Sequence, residues 1–260
     1  MKFLTFQIYA PLVSWGEISV GEERHSARHP SKSAVIGLIA AALGISREEE
    51  KKLNDLGKIL GVAVKLYSGG SILKDFHTAQ VPKTEKSVVY YTRKAEVNAD
   101  KKKIGTILSR REYRCDALAV VAIYLKYKTD ELTLGQIAEK LKHPEFQLYF
   151  GRKSCVPALP LDPKLIEAEN LNKAFTGYPI EICFPEIKND PEWLKQVYKT
   201  YPEKTLFDKN GMTFYWEEGI ESGFEKSIQS VDRYDQPISR KRWQFSSRRE
   251  FMTIENASNT

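Results

Sequence analysis

The longest uninterrupted apolar run in this sequence is Ala34 to Leu43, AVIGLIAAAL, and it sets the first limit on the fold. It is about half of the roughly 20 residues that a membrane-spanning helix requires, so no membrane span is expected. Ser31 or Ser33 can cap a helix over this run, and Gly44 stands where a helix C-terminus commonly takes glycine. The N-terminus, MKFLTFQIYAPL, is too short and too polar for a signal peptide and reads as a first strand, so a cytosolic (cytoplasmic) location is expected. With 260 residues, 42% of them hydrophobic, the chain can bury a core for one compact domain and a smaller second part.

Periodicity divides the chain into alternating elements. Phe3 to Ala10 is rich in aromatic and β-branched residues and ends at Pro11, as a strand would. A second, exposed helix is expected over Arg47 to Leu56, then a strand over Leu60 to Tyr67. Ser68-Gly69-Gly70-Ser71 reads as a hairpin turn into Ile72 to His77. From about 78 to 114 the pattern weakens into a polar, basic stretch with short β-favouring pieces at Val88 to Tyr91 and Thr106 to Leu108. It reads as a long protruding hairpin or flap. Cys115 to Leu125 is a strong buried strand. Thr133 and Gln136 have the spacing of a capping box for a helix over Leu134 to Lys142. Phe146 to Phe150 reads as the last strand of this part.

The order β-α-β-insert-β-α-β predicts an α+β fold: a ferredoxin-like, RNA-recognition-motif-like domain over 1–155, with the insert at about 78–114. Prolines at 157, 160 and 163 mark a boundary. A smaller β-rich part is expected over 156–260, with a short helix near Pro191 to Tyr198.

The charge is localised, and reads either as a footprint for a polyanionic partner or as a solvated basic surface. The chain is net +6 with a pI near 9.0. Between Pro82 and Arg114, ten basic residues face four acidic ones, and Arg240 to Glu250 carries five basic residues against one acidic. Local features fit such a partner. Ser31, Lys32 and Ser33 open a helix after a basic, glycine-containing loop, a pattern suited to phosphate. Arg111 and Tyr113 alternate onto one strand face, suited to a phosphate and an unstacked base. Tyr149, Arg152 and Lys153 surround Gly151, where a glycine lets the backbone approach a ligand. Trp243 and Phe245, set among arginines, read either as a further stacking platform or as a strand with one buried face.

Catalytic and metal chemistry has little support. There is no GxSxG, P-loop or HExxH pattern, and Cys115, Cys155 and Cys183 are too far apart for a zinc or disulfide framework. No cofactor is expected. His77 alone could act as a general base on an RNA 2′-hydroxyl.

Four segments in order carry a family resemblance: SWGEISVGEERHSARHPSKSAVIGLIAAALGI, KDFHT, REYRCDA and PEFQLYFGRKSC. They resemble the CasD subunit family of type I-E Cascade, the fifth Cas protein family in the repeat-associated superfamily of RNA-binding Cas proteins. The match runs to about Pro160 and is loose beyond, around FSSRREF. It implies a ferredoxin-like domain with a β-hairpin thumb that displaces a nucleotide where the 5′ handle of the crRNA meets the spacer. It implies RNA contacts from Lys32, Arg111, Tyr149, Arg152 and Lys153, with Ser31, His77 and Tyr113 in support. The implied partners are the crRNA 5′ handle, the backbone subunit CasC and the large subunit CasA, with target DNA reached through the complex. The implied role is non-catalytic. The related type I-C branch, whose corresponding subunit is a metal-independent endoribonuclease, supplies the alternative. Lys94 to Lys103 is more basic than the family pattern.

Overall fold

A 22-residue strand, β5 (Ile104–Leu125), is the spine of the fold, and its two halves have different neighbours. The second half lies between β1 (Lys2–Val13) and β3 (Leu60–Ser68), antiparallel to both. The first half pairs with β4 (Ser71–Pro82), from Ser71 opposite Cys115 to Pro82 opposite Ile104. The computed structural model describes residues 1–19, 21–83, 88–127, 129, 132–178, 180, 211–225, 228–239, 242 and 244–255.

The SGGS segment does not turn the chain back on itself. β3 and β4 both run antiparallel to β5, so they follow one direction and Gly69–Gly70 is a kink between them. Gly70 has a φ of 66°, and a Cβ there would lie 2.3 Å from the Cys115 carbonyl oxygen. Glycine therefore lets the chain pass tightly over β5 and keep going. The pair β4 and β5 forms an antiparallel ribbon joined through residues 83–103, which carry the short helix α3 (Arg93–Val97) and a 3-10 turn at Lys101–Lys103. Val88 to Tyr91 is not a strand, and Tyr91 is 91% exposed.

The remaining strands are β2 (Glu23–Arg24), β6 (Lys164–Glu167), β7 (Met212–Glu217), β8 (Gln229–Ser239) and β9 (Gln244–Glu255). Among the described residues the sheet runs β6-β1-β5-β3-β7-β9-β8, with β2 and β4 joined to β5 off this path. Strands from both sides of position 155 share it, β6 beside β1 and β7 beside β3. The helix expected near Pro191 to Tyr198 lies outside the described residues, as does Cys183.

Helices α1 (Lys32–Ala42), α2 (Glu50–Ile59) and α4 (Leu134–Lys142) cover one sheet face, where Leu4, Phe6, Ile8, Val121 and Ile123 form the main core. α1 is apolar nearly all round, as a helix buried on most sides must be. Ser31 caps it by accepting from the Ala34 N–H, and the Thr133–Gln136 capping box closes the start of α4. The other face packs Tyr124, Phe214 and Trp216 against α5 (Leu171–Thr176). None of the described helices is long and apolar enough to cross a membrane.

Two boundaries differ from the sequence reading for local reasons. β1 continues through Pro11, which sits opposite Asp116, a non-glycine residue with a φ of 57° that already interrupts the ladder. Phe146 to Phe150 is not a strand, because its backbone is bonded elsewhere. The Glu145 and Phe146 N–H groups donate to the Ala42 and Ala41 carbonyls, 3.1 Å each. They add donors at the end of α1, where the Ala41 carbonyl also takes the Gly44 N–H at 3.2 Å.

Candidate nucleic-acid interface

The loop after that segment is pinned to the end of β1. The Ser14 N–H donates to the Phe150 carbonyl at 3.0 Å, the Phe150 N–H to the Cys155 carbonyl at 2.7 Å, and the Cys155 N–H to the Arg152 carbonyl at 2.8 Å. Phe150 is buried beside Trp15, ring centroids 5.7 Å apart. Gly151 has a φ of 91°, and a Cβ there would fall 1.7 Å from the Ser14 carbonyl oxygen. Its close approach is thus to β1 rather than to a ligand, and it fixes the direction in which residues 152 and 153 leave the loop.

Arg152 turns onto β5. Its guanidinium carbon lies 4.4 Å from the Tyr113 ring centroid, and Nη1 donates to the Glu112 carbonyl at 3.2 Å. Tyr113 is 7% exposed and belongs to the core, so its ring is a seat for Arg152 rather than an open platform for a base. The ladder to β4 sets Tyr113 opposite Leu73, Arg111 opposite Asp75, and Ser109 opposite His77, so Arg111, Tyr113 and His77 share one ribbon face. Arg111 is half-buried, and the His77 imidazole Nε2 lies against the Asp75 carboxylate.

Lys153 and Tyr149 face the other way, into a cleft of about 520 Å³ over the uncovered side of α1. Ser33, Gly37 and Ala41 supply its small-residue floor, with Arg47 on the far rim. Lys153 is exposed and Tyr149 half-buried. The loop therefore carries Arg152 to the ribbon face that holds Arg111 and Asp75, and Lys153 with Tyr149 to a cleft that Arg47 and Glu48 also line.

Lys32 does not join them. It is 1% exposed, and its Nζ donates to Glu217 Oε2 at 2.9 Å, a carboxylate shared with Lys126 at 2.6 Å. Burial pulls the Lys32 ammonium down to about 8 against the attraction of Glu217. The helix N-terminus already has an anion, since the Lys32 N–H donates to Asp235 Oδ2 at 2.8 Å. Asp235 is held by Arg248 at 2.6 and 2.8 Å, and Arg248 also bonds Glu250 at 2.6 Å. Glu250 meets the buried His29, which stacks on Tyr215 with centroids 3.6 Å apart. The phosphate site expected at Ser31 and Lys32 is thus an internal clasp between α1 and β7–β9. Of FSSRREF, Arg248 and Glu250 belong to this clasp; Trp243 lies outside the described residues.

Glu112 went unrecognised in the sequence. Its carboxylate accepts from the Ser26 N–H at 3.3 Å and meets His25 and Lys74. Burial opposes its charge, but these partners outweigh it and hold the carboxyl below its usual range. An isolated acid within the run RREYR was the available signal.

Residues 3–251 match the family described as CRISPR-associated protein (Cas_Cas5), and the chain belongs to it. It is similar to "CRISPR system Cascade subunit CasD" of Escherichia coli (strain K12), 28% identical over 177 residues, covering 68% of this chain and 77% of that one. It also resembles a chain of a solved "CRISPR RNA-guided surveillance complex", 25% identical with a TM-score of 0.62 over 98% of this chain and 90% of the other. A second solved structure, "Crystal structure of Cas protein", shares the fold at 24% identity and a TM-score of 0.58, covering 97% of this chain and 94% of that one. The CasD resemblance drawn from the four motifs stands.

Proposed function

We propose that this chain is a non-catalytic Cascade subunit that holds the 5′ handle of the crRNA at the loop 149–153 and the neighbouring ribbon face. The carrying observation is the pinned loop: Gly151 against Ser14 sends Arg152 to Tyr113 and Lys153 to the cleft over α1. Arg111, Arg152 and Lys153 pair with phosphates, and Tyr149 stacks a base at the cleft. The element order β1-α1-β3-β5-α4-β6, with β6-β1-β5-β3 side by side, fits a ferredoxin-like frame whose fourth strand, β6, lies past the expected boundary at 155, and the β4/β5 ribbon fits the thumb. Residues 156–260 then serve as a bracing part through the clasp on α1. CasC and CasA are the expected protein neighbours in a cytoplasmic complex, with target DNA reached through them.

A second reading draws on the His77–Asp75 pair, which orients an exposed imidazole on the ribbon face that also carries Arg111. It makes the chain a metal-independent endoribonuclease of repeat RNA. Incubating purified protein with labelled repeat–spacer RNA in EDTA separates the two. A handle-dependent mobility shift of intact RNA is the expected outcome. A discrete product, lost in His77→Ala, would overturn the non-catalytic role.

A further inference from the structure

Where β3 gives way to β4, the ladder to β5 is broken on both strands: by Gly69–Gly70 on one, and on the other by Asp116 with its φ of 57°. A crevice of about 530 Å³ opens at the break, lined by Arg28, Ser68, Ser71, Arg114 and Asp116 together with the two glycines. It contains none of the residues assigned to the handle.

Arg114 enters the crevice on main-chain tethers, and the carboxylates whose charges favour it, Glu112 and Glu17, lie outside the lining. Nε donates to the Ala27 carbonyl at 2.6 Å and the Ser26 carbonyl at 3.2 Å, and Nη1 donates to the Gly69 carbonyl at 3.2 Å. These partners are uncharged main-chain oxygens. Arg28 lies along the other wall, directly over Gly69: a Cβ there would come within 2.5 Å of its Cγ and 2.7 Å of its Nε. Glycine at 69 is therefore what lets a second guanidinium stem lie over the break. Burial, and then the Arg28 charge, pull the Arg114 guanidinium below its usual range, so the two cations disfavour one another in this crevice. The lining carboxylate, Asp116, accepts from the Tyr9 hydroxyl at 3.3 Å. Ser71 is exposed at the mouth.

We propose that this crevice is a second anion site, taking one phosphodiester group of the bound guide RNA between Arg28 and Arg114. The inference rests on the guide-binding reading above and adds a contact that reading does not contain. Guanidinium forks match phosphate oxygens in pairs, and the Ser71 hydroxyl supplies a further donor. A bound phosphate relieves the repulsion between the two arginines. Arg111 and Arg114 are three steps apart on β5, about 10 Å, and lie on opposite faces of the strand, so an RNA that reaches both passes around the ribbon root.

The test is the salt dependence of binding, measured on the full chain with a single-stranded repeat-derived RNA carrying the 5′ handle. Arg28→Gln removes one cation. Ser71→Asp places a carboxylate at the mouth and leaves every Arg114 tether in place. Each is expected to weaken binding about five-fold or more, and Arg28→Gln to lower the slope of log K against log salt by about 0.7, the share of one phosphate on a single strand. Unchanged affinity and slope in Arg28→Gln, with wild type binding normally, would overturn the crevice site and leave the handle reading intact. A loss in Arg28→Gln without one in Ser71→Asp would assign the effect to the loop and also overturn it. Failure of the wild type to bind removes both readings.

Discussion

Lys32 Nζ reaches Glu217 Oε2 across 2.9 Å, joining the first residue of α1 to the last residue of β7, 185 positions apart. Glu217 is itself buried, and its other oxygen accepts from the Val62 N–H at 3.0 Å, so this carboxylate ties α1 to both β3 and β7. Lys32→Ala leaves that buried acid the Lys126 ammonium and the Val62 N–H, and is expected to cost about 3 kcal/mol, at the lower end for breaking a buried pair. Urea denaturation of the variant checks it. RNA binding measured where the variant is fully folded should keep the wild-type salt slope, because Lys32 meets no phosphate. A reduced slope would return Lys32 to the interface.

The clasp should fail in acid. Burial pushes the Glu250 carboxyl up, but the hydrogen bond to His29 and the charges of His29, Arg248 and Arg233 outweigh it and bring it to about 2. A folded value below the ordinary 4.5 means stability that is present above pH 4.5 and lost as pH falls towards 2. Burial lowers His29 from 6.5, so the unfolded chain takes up that proton first and stability also falls as pH drops through 6.5. Thermal melts from pH 8 to 3 should show falling stability from about pH 6.5 downward. The upper part of the decline should shrink in His29→Gln.

Gly151→Ala should separate loop position from charge. The added methyl meets the Ser14 carbonyl and sits at a φ of 91°, a combination expected to cost at least about 2 kcal/mol if the loop holds its place. If the loop moves instead, Arg152 leaves the Tyr113 ring and handle affinity falls with every cation still present. Wild-type stability together with wild-type affinity would show that the contact with Ser14 is dispensable.

Arg111→Ala with Lys153→Ala should weaken handle binding at least ten-fold and flatten the salt slope by about 1.4, two phosphates' worth on a single strand. The melting temperature should stay within a degree or two, since Lys153 is exposed and Arg111 half-buried. Unchanged assembly with crRNA in this double variant would sink the assignment of both residues.

How much of this was readable depended on how far the partner lay along the chain. The Thr133–Gln136 box is a three-residue relation and was legible in full, while the helix cap was narrowed to Ser31 or Ser33, of which Ser31 caps. Alternation also grouped Arg111 with Tyr113 correctly. It could not tell that the Tyr113 end of that face is covered by Arg152, because the covering loop is set by Ser14 and Gly151. Phe146 to Phe150 has strand-like side chains, yet its first N–H is taken by the Ala41 carbonyl at the end of α1 and its last by the Cys155 carbonyl. Lys32 looked like a phosphate ligand because its immediate neighbours are hydroxyls. Glu217 and Asp235, which neutralise it and the helix start, lie about two hundred residues away and share no local pattern with it.

The continuity of β5 has a mechanical consequence. Its partner is broken at Gly69–Gly70, but β5 passes from the sheet centre to Ile104 at the far end of the ribbon as one strand, with Asp116 its single left-handed residue. The ribbon is therefore a cantilever rooted in the sheet, not an arm on a hinge. A load applied near Lys101–Lys103 travels down β5 as shear along its ladders with β1 and β3, where many hydrogen bonds resist it together. Contacts made far out on the ribbon are in this way reported to the same sheet that positions Arg111 and seats Arg152.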